Sequence, residues 1–359
     1  MTERTLWRLN SEGLSALCVG VLCGVFVGCA GPGAGTPEIQ DLNALERVAD
    51  ELERDGNYAL AREQLAAIVA ATEDSDRAGA LTLRGCDTYR RENRYDDARR
   101  CYLSAAPNVL PRVKAEARLR AAKMEVRLGR VSRAQIALEA LVIDQPSSPA
   151  ALSGARYLLE LRDEDAVDSE QETRVRLGRR LALALEPQSK RDASVRTLCT
   201  FLWLDVGRHQ GMDHEAKKAL DMAWSLGGDT HWRDEIYLAR ARFARRTGAI
   251  DTALNLYRDF LSERESSWFV GSYDSPFLGV AAFERAVLLE ESGRSEEAIE
   301  AYEWLVDEVE NSKFRDDAAF AAASLRHARG RSEALREFLE TYPDSRHRVR
   351  AEQLLKDIR

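Results

Sequence analysis

The chain lacks the short motifs by which many enzymes are recognised. Its 359 residues contain no GxSxG nucleophile elbow, no phosphate-binding loop and no HExxH metal-binding motif. Histidine is scarce, with five in all, and the spacing of His209 and His214 does not put both rings on one helical face. No cysteine or carboxylate completes a zinc pattern around them. We therefore predict no catalytic site, no metal site and no cofactor.

The chain also lacks an excess of positive charge. It has 52 lysine and arginine residues against 60 aspartate and glutamate residues, so its formal net charge is −8. A general nucleic-acid-binding protein would carry a basic surface. This balance argues against nucleic acid as a partner, and most of the charges are expected on solvated helix faces.

The apolar run near the N-terminus, Leu14–Gly28, is too short for a stable transmembrane helix, which needs about 20 residues. Arg4 and Arg8 precede the run, as in a signal peptide. The run ends in Phe-Val-Gly followed by Cys29, which resembles the lipoprotein box of bacteria. That resemblance implies that residues 1–28 are a signal peptide and that Cys29 is lipidated. The alternatives are an ordinary signal peptide with a chance cysteine, or a poor membrane anchor.

A short segment rich in glycine and proline, residues 29–37, follows the apolar run. It predicts a flexible tether with a reach of at most about 25–30 Å. Two or three acyl chains on Cys29 would give stable membrane attachment. In the enterobacterial sorting pattern, an aspartate after the lipidated cysteine retains the protein in the inner membrane. Ala30 stands there instead, so the resemblance implies the outer membrane, with the folded part in the periplasm.

A turn residue recurs through the rest of the chain, mostly at intervals of 36 or 37 residues. It stands at Gly56, Asn93, Gly129, Gly211, Gly248, Gly293 and Gly330. Five places after it, six units carry alanine, namely Ala61, Ala98, Ala134, Ala216, Ala253 and Ala298. Nine places after it stands a large residue, namely Leu65, Tyr102, Leu138, Leu220, Tyr257, Tyr302 or Leu339. Seven places before it, six units carry a small residue, namely Ala49, Cys86, Ala122, Ala241, Ala286 and Ala323. Small residues let two helices cross closely, and a larger one beyond the crossing fills the groove.

This spacing resembles the tetratricopeptide repeat (TPR), although the family's tryptophan near the start of the first helix and most of its closing prolines are missing. The resemblance covers nearly everything after residue 40. It implies an all-α fold, a right-handed superhelical solenoid of about eight TPR-like helix pairs over residues 38–359. We expect the chain to end in a capping helix at Val349–Ile358, because repeat arrays need a polar outer cap.

One unit is degenerate, because the turn residue is missing for 82 residues between Gly129 and Gly211. Two helices are expected in this interval, at Ala150–Arg162 and Thr173–Leu185. An acidic turn separates them, and Pro187 is expected to stop the second.

The lipid anchor and the TPR-like units together look like TPR lipoproteins of Gram-negative envelopes. The resemblance implies a scaffold for protein–protein interactions in the assembly or maintenance of the cell envelope. A component of the β-barrel assembly machinery or of the Tol–Pal system is a narrower alternative. An enzyme with an unrecognised groove site and a structural spacer without a specific ligand are the rivals.

In the resembled family, first-helix residues just before the turn face a groove in which peptides bind. Two or three places before the turn, this chain carries Arg90, Arg91, Arg127, Arg208, Arg245 and Arg246. Because arginine binds carboxylates through a bidentate fork, we predict a basic groove for an acidic segment or a C-terminal carboxylate of a protein partner. The alternative is that these arginine stems only cover apolar surface.

An apolar insertion distinguishes the unit before Gly293. It spans Glu263–Leu278 and carries Trp268, Phe269, Val270, Tyr273 and Phe277. Surface loops are usually polar. The aromatic residues either pack onto the seam between the flanking units or stay exposed to anchor a partner, since aromatic residues dominate interface hot spots. Trp268, Phe269 and Tyr273 are therefore candidate partner-binding residues.

Of the six cysteines, Cys18 and Cys23 lie in the predicted signal peptide, and the mature part keeps Cys86, Cys101 and Cys199 besides Cys29, so at most one internal disulfide is expected. Cys86 and Cys101 lie on the two predicted helices of one unit and could meet in an oxidising periplasm. Cys86 also takes the small-residue position of the helix crossing. The preferred interpretation is therefore a buried small hydrophobic residue.

Overall fold

In the computed structural model, the chain divides into two units, Met1–Asp41 and Leu42–Arg359. The structure describes residues 41–105, 110–161, 169–211, 214–262, 265–267, 271–273 and 275–358. The predicted signal peptide, Cys29 and the tether lie outside the described residues. In the part that is described, no helix is both long and apolar enough to cross a bilayer.

Within these ranges, the second unit forms 17 helices that follow one another as eight pairs and a final single helix. The pairs are α1 (Leu42–Arg54) with α2 (Tyr58–Ala71), α3 (Ser75–Arg91) with α4 (Tyr95–Ala105), α5 (Pro111–Arg127) with α6 (Val131–Asp144), α7 (Pro149–Glu160) with α8 (Glu170–Ser189), α9 (Ala193–His209) with α10 (His214–Gly227), α11 (Arg233–Arg246) with α12 (Ile250–Ser262), α13 (Leu278–Glu291) with α14 (Ser295–Glu308), and α15 (Arg315–Leu325) with α16 (Ala328–Thr341). The final helix is α17, Arg348–Asp357. The predicted solenoid of about eight TPR-like pairs with a capping helix is confirmed.

A small antiparallel hairpin, which the sequence pattern did not predict, lies between α12 and α13. Its strands are β1 (Glu265–Ser267) and β2 (Gly271–Tyr273), and Glu265 is paired with Tyr273. The hairpin falls in the predicted apolar insertion. Trp268 and Phe269 lie outside the described residues, and Tyr273 is described only as a position on β2. The two interpretations of the insertion therefore stay predictions.

The turn inside most pairs contains a residue in the left-handed conformation. Gly56 has a φ of 77°, and the N–H of Asn57 donates to the carbonyl of Leu52 at 2.8 Å. This arrangement satisfies carbonyl groups at the helix end that would otherwise lack a donor. Positive φ values recur at Asn93, Gly129, Gly248 and Gly293. Five of the seven predicted turn residues are thereby confirmed in their conformation.

Of the other two, Gly211 lies between α9 and α10 as predicted but without a left-handed conformation, and Gly330 is wrong as a turn residue. Gly330 lies inside α16. In these two pairs the first helix is followed by an extended residue, Gln210 or Arg326, each with φ −63° and ψ 154°. An extended residue ends a helix without any need for a left-handed one, so glycine has no special role at these turns.

The three coupled positions of the repeat are buried, as the pattern predicts. All six alanines five places after the turn are 0% exposed, and so is Leu335 in the last unit. The large residues nine places after the turn are at most 2% exposed, apart from the half-buried Leu339. Burying a leucine-sized side chain stabilises the fold by about 1.5–3 kcal/mol. These positions therefore carry much of the packing between neighbouring helices.

The degenerate unit contains the two expected helices, but α8 is longer than predicted. Pro187 lies in the last turn of α8 and does not stop it, because a proline there removes only one late hydrogen bond of the helix. Along its length α8 packs mainly against α9. Gly178 permits this approach, since a Cβ there would lie 3.0 Å from Cγ2 of Val206. The acidic turn, residues 163–165, lies outside the described residues.

Cys86 forms a disulfide with Cys101, the pairing that the sequence left as the less favoured alternative. The residue is also fully buried at the helix crossing, so the two interpretations were not exclusive. The Cα atoms of the two cysteines are 5.4 Å apart, which suits a bridge between the helices of one pair. Cys199 is a buried free thiol, and burial raises its pKa to about 12. It is therefore protonated and unreactive at neutral pH.

The C-terminal cap agrees with the prediction to within one residue at each end of α17. Ala351 packs with Phe320 and Phe338 from the last pair. Arg346 and His347 both contact the buried carboxylate of Asp317, at 2.6 Å. Much of the basic character that the sequence shows before α17 is thus neutralised within the cap.

Candidate functional site: two arginine-lined clefts

The six arginines singled out from the sequence fall into two separate clefts. Arg208, Arg245 and Arg246 line a cavity of about 970 Å³ between the ends of α9, α11 and α13, here named the C-terminal cleft. A second cavity of about 740 Å³ between α3 and α5, here named the N-terminal cleft, is lined by the other three, namely Arg90, Arg91 and Arg127. The two clefts share no lining residue. The six arginines of the predicted basic groove thus line two cavities, and their role in binding stays a prediction.

Ion pairs connect the first helices of consecutive pairs at equivalent positions of the repeat. The residue three places before one turn meets the residue two places before the next turn. Glu53 meets Arg91 in this way at 2.7 Å, and Arg245 meets Glu291 at 2.6 Å. The signs of the charges are exchanged between these two contacts. Both contacts join the same two positions of the repeat. The repeat therefore determines where two charged side chains meet, and the sequence of each unit determines which of the two is acidic and which is basic.

A second set of ion pairs joins the residue six places before one turn to the residue nine places before the next. Its members are Asp50 with Arg84, Asp87 with Arg120, and Arg242 with Glu284. The Asp87–Arg120 and Arg242–Glu284 contacts measure 2.5 and 2.6 Å. Again the last contact has its signs exchanged. Two of these bridges pair charges that line the clefts, Asp87 with Arg120 in the N-terminal cleft and Arg242 with Glu284 in the C-terminal cleft.

At two places the register of the first kind sets two arginines opposite each other, and both members of each pair line the same cleft. Arg90 stands where a carboxylate would meet Arg127, and Arg208 stands where a carboxylate would meet Arg246. The side chains of Arg127 and Arg246 make no ion pair or hydrogen bond with any residue in the described ranges. Within the described part of the chain, the Arg208 side chain donates to the main-chain oxygen of Glu235, at 3.2 Å, and makes no ion pair. Each cleft therefore contains a guanidinium group, that of Arg127 or Arg246, which makes no ion pair with a carboxylate of the described residues.

The walls of the C-terminal cleft hold its charges in fixed positions. Tyr257 donates its phenol hydrogen to Glu284 at 2.8 Å, and Arg242 donates to the same carboxylate. Burial is the main reason that the pKa of Tyr257 is raised, and the adjacent Glu284 raises it further. The pKa of Arg208 is lowered, first by burial of its guanidinium and then by the nearby Arg242. Arg208 as a whole residue is exposed to solvent, so an incoming anion can reach it and would stabilise its charge beside Arg242.

The tyrosine contacts recur in the N-terminal cleft and had a signal in the sequence. Tyr102 occupies the same repeat position as Tyr257 and donates to Asp87 at 2.5 Å. A buried phenol needs an acceptor, so a tyrosine nine places after a turn indicates a carboxylate on a neighbouring first helix. Sequence reasoning treated these tyrosines as packing residues only.

A third cavity of about 900 Å³ lies along α8 and the end of α9, where no site was predicted. Its cations have partners within the chain: Arg179 meets Glu215 at 3.3 Å and Arg180 meets Glu139 at 2.6 Å. In the described part of the chain, no group of three or more metal-ligating side chains is placed to hold an ion. The chemistry offered by the two named clefts is the binding of anions by guanidinium groups.

The sequence matches no protein-family model and no curated protein. Solved structures similar to the chain include a tetratricopeptide repeat protein from Parabacteroides merdae, at 15% identity and a TM-score of 0.35, over 78% of this chain and 98% of that one. Another is the C-terminal part of a TPR repeat-containing protein from Cytophaga hutchinsonii, at 14% identity and a TM-score of 0.39, over 85% and 98%. Yeast Tom70 is similar at 12% identity and a TM-score of 0.34, over 85% and 70%.

Proposed function

We propose that the chain is a lipid-anchored scaffold that binds an acidic segment of a partner protein at the periplasmic face of the outer membrane. The observation that carries the proposal is the placement of Arg208 with Arg246, at a repeat position where other units form an ion pair. In the role proposed here, a carboxylate of the partner supplies the missing charge. The protein would thereby serve in assembly or maintenance of the cell envelope.

The energetics favour binding through the unpaired arginines rather than through the paired ones. Arg245 already holds both oxygens of Glu291, at 2.6 and 2.7 Å, so an incoming carboxylate would have to displace that contact. Arg246 has no such contact with a described residue and is exposed to solvent. A hydrogen bond to a charged group contributes about 1.5–3 kcal/mol. Two such arginines are enough to give a partner segment a distinct binding position.

Two independent features support the proposed compartment. The apolar run that ends at Cys29 resembles a lipoprotein signal. The disulfide between Cys86 and Cys101 is of a kind that persists in oxidising compartments such as the periplasm and is rare in the cytosol. A narrower role in the β-barrel assembly machinery or in the Tol–Pal system is compatible with the same features.

Reversing the two unpaired charges of the C-terminal cleft should reduce capture of the partner. We expect Arg208→Glu/Arg246→Glu to lower the yield of crosslinked partner from intact cells by at least about tenfold, since more than 1.4 kcal/mol of attraction is lost. The control is Arg100→Glu/Arg258→Glu, which makes the same change in net charge at exposed positions on α4 and α12. Equal capture by the cleft variant and the control would contradict the proposal. Arg245 is left intact, because its reversal would also break a bridge between helix pairs.

The lipid anchor has a separate test. Cells that produce the wild-type chain should incorporate a palmitate analogue into the protein, and cells that produce Cys29→Ser should not. The reason is that the lipid is attached through the sulfur atom of Cys29, which serine lacks. Labelling is measured after immunoprecipitation, with Cys199→Ser as the matched cysteine control. Equal labelling of wild type and Cys29→Ser would rule the anchor out.

A further inference from the structure

We infer that the N-terminal cleft is a second acidic-peptide site, independent of the C-terminal cleft, so that one chain binds acidic segments at two points. The inference rests on the proposed function, because it assigns the same class of ligand to a second place. It goes beyond that function in the number of sites and in the residues that form the second one.

The charges of the N-terminal cleft divide into those already used and those left over. Arg120 is held by Asp87 at 2.5 Å and by Glu116 at 2.7 Å. Arg91 is held by Glu53 of α1 at 2.7 Å. These contacts account for both carboxylates that line the cleft.

The remaining cations are Arg90, Lys123 and Arg127. Arg90 reaches only Asp87, at 3.4 Å, an acceptor that already receives hydrogen bonds from Arg120 and Tyr102. Lys123 and Arg127 make no ion pair with a residue in the described ranges. The cavity is therefore lined by two cations without an ion pair among the described residues, Lys123 and Arg127, and by Arg90, which shares Asp87 with two other donors. A ligand with two or more clustered carboxylates fits this arrangement better than a single anion.

The far wall of the cleft is aromatic. Tyr157 of α7 lines the cavity, and the Nζ atom of Lys123 lies 5.5 Å from the centre of its ring. The ring is half-buried, and burial raises the pKa of its phenol, which therefore stays protonated as a hydrogen-bond donor. A phenol hydrogen can donate to a carboxylate beside the guanidinium groups. The cavity thus offers both charge and a directional donor to a peptide.

Covalent and hydrogen-bonded contacts hold the N-terminal cleft in shape before any ligand binds. The disulfide from Cys86 to Cys101 joins α3 to α4, one residue before both members of the Asp87–Tyr102 hydrogen bond. Arg120 then ties α5 to the same carboxylate. A site that is already ordered loses little conformational entropy on binding.

Two sites of one chemistry change how a partner is held. If both sites bind segments of one partner, the second contact is intramolecular, and overall affinity can exceed that of either site by about 10²–10⁴. Since the clefts share no lining residue, substitutions in one should not alter the intrinsic affinity of the other.

The test is a calorimetric titration of the purified full chain, in detergent, with an amidated decaglutamate peptide. We expect two bound peptides per wild-type chain, one for Arg90→Glu/Arg127→Glu and one for Arg208→Glu/Arg246→Glu. The combined variant should bind none, while Arg100→Glu/Arg258→Glu should still bind two. The two cleft variants change equivalent repeat positions, so each is the matched control of the other. Helical content and melting are recorded for each, and Arg90→Gln/Arg127→Gln replaces the first variant if it unfolds.

The outcomes separate the inference from the proposed function. One peptide per wild-type chain, lost only in Arg208→Glu/Arg246→Glu, would overturn the second site and leave the proposed function standing. One peptide per wild-type chain, lost only in Arg90→Glu/Arg127→Glu, would place the binding site in the N-terminal cleft. That result would overturn the assignment of the C-terminal cleft. No binding by the wild-type chain would contradict both.

Discussion

Replacing Arg174 with leucine is expected to lower the free energy of unfolding by about 3–5 kcal/mol. Arg174 of α8 donates to both carboxylate oxygens of Asp205 on α9, at 2.9 and 2.5 Å. The Asp205 side chain is only 6% exposed, so removal of the arginine leaves a buried negative charge without its main partner. Because α8 packs chiefly on α9, this loss should weaken the centre of the solenoid. Urea unfolding followed by circular dichroism measures it.

Two variants show whether the effect comes from the unpaired charge. The double variant Arg174→Leu/Asp205→Leu should recover most of the lost stability, because an apolar pair replaces the ion pair without leaving a charge behind. Asp221→Ala removes an exposed pair with Lys217 on α10 and should cost no more than about 1 kcal/mol. Equal stabilities for Arg174→Leu and Asp221→Ala would show that the buried pair has no special weight.

Removing the disulfide is expected to lower the free energy of unfolding by about 3 kcal/mol, as estimated for a loop of about 15 residues. Cys86 and Cys101 are separated by 15 positions, so their bridge restricts the unfolded chain by roughly that amount. The variant is Cys86→Ala/Cys101→Ala, which keeps a small side chain at the helix crossing. The same unfolding measurement applies, under oxidising conditions.

Reductant provides the internal control for this comparison. Reduction should lower the stability of the wild-type chain to near that of Cys86→Ala/Cys101→Ala and should leave the variant unchanged. Cys199→Ala removes a buried free thiol and leaves the disulfide intact. Reductant should therefore lower the stability of Cys199→Ala by the same amount as that of the wild-type chain. A wild-type chain that unfolds identically with and without reductant would contradict a stabilising disulfide.

Packing positions were predictable from the sequence because they repeat with the period of the helix pair. Ala253 and Tyr257 show why: they stand on one face of α12, and the same face recurs in other units. Burial of such positions depends on local geometry that every unit shares. The sequence could therefore place the helices and most of the core without knowledge of tertiary contacts.

The wrong predictions concern residues whose conformation depends on how neighbouring segments of the same chain pack around them. Gly330 resembles a turn glycine in spacing, yet the preceding helix ends early at an extended Arg326. Pro187 resembles a helix stop, yet α8 continues to Ser189. In both cases a residue type permits more than one local conformation, and packing selects among them.

The pairing of charges in the clefts could be recognised only by comparing consecutive units. Arg245 and Arg246 look alike in the sequence, but Glu291 of the next unit neutralises only the first. The comparison needed is between the residue three places before one turn and the residue two places before the next turn. This comparison shows from the sequence which unit supplies the arginine and which supplies the carboxylate. Which arginines stay unpaired is thus a property of neighbouring units, not of one unit.

The most direct test is to map which part of a partner lies in the C-terminal cleft. A photo-crosslinking amino acid is placed at position 292 in cells, an exposed position that lines the cleft and leaves Arg208 and Arg246 intact, and the captured peptide is sequenced by mass spectrometry. Because Arg246 has no partner among the described residues, the contacted segment should be rich in aspartate or glutamate, or should end in a C-terminal carboxylate. The same probe at position 258, on an exposed part of α12, should not crosslink to that segment. A captured segment without acidic residues would contradict the account.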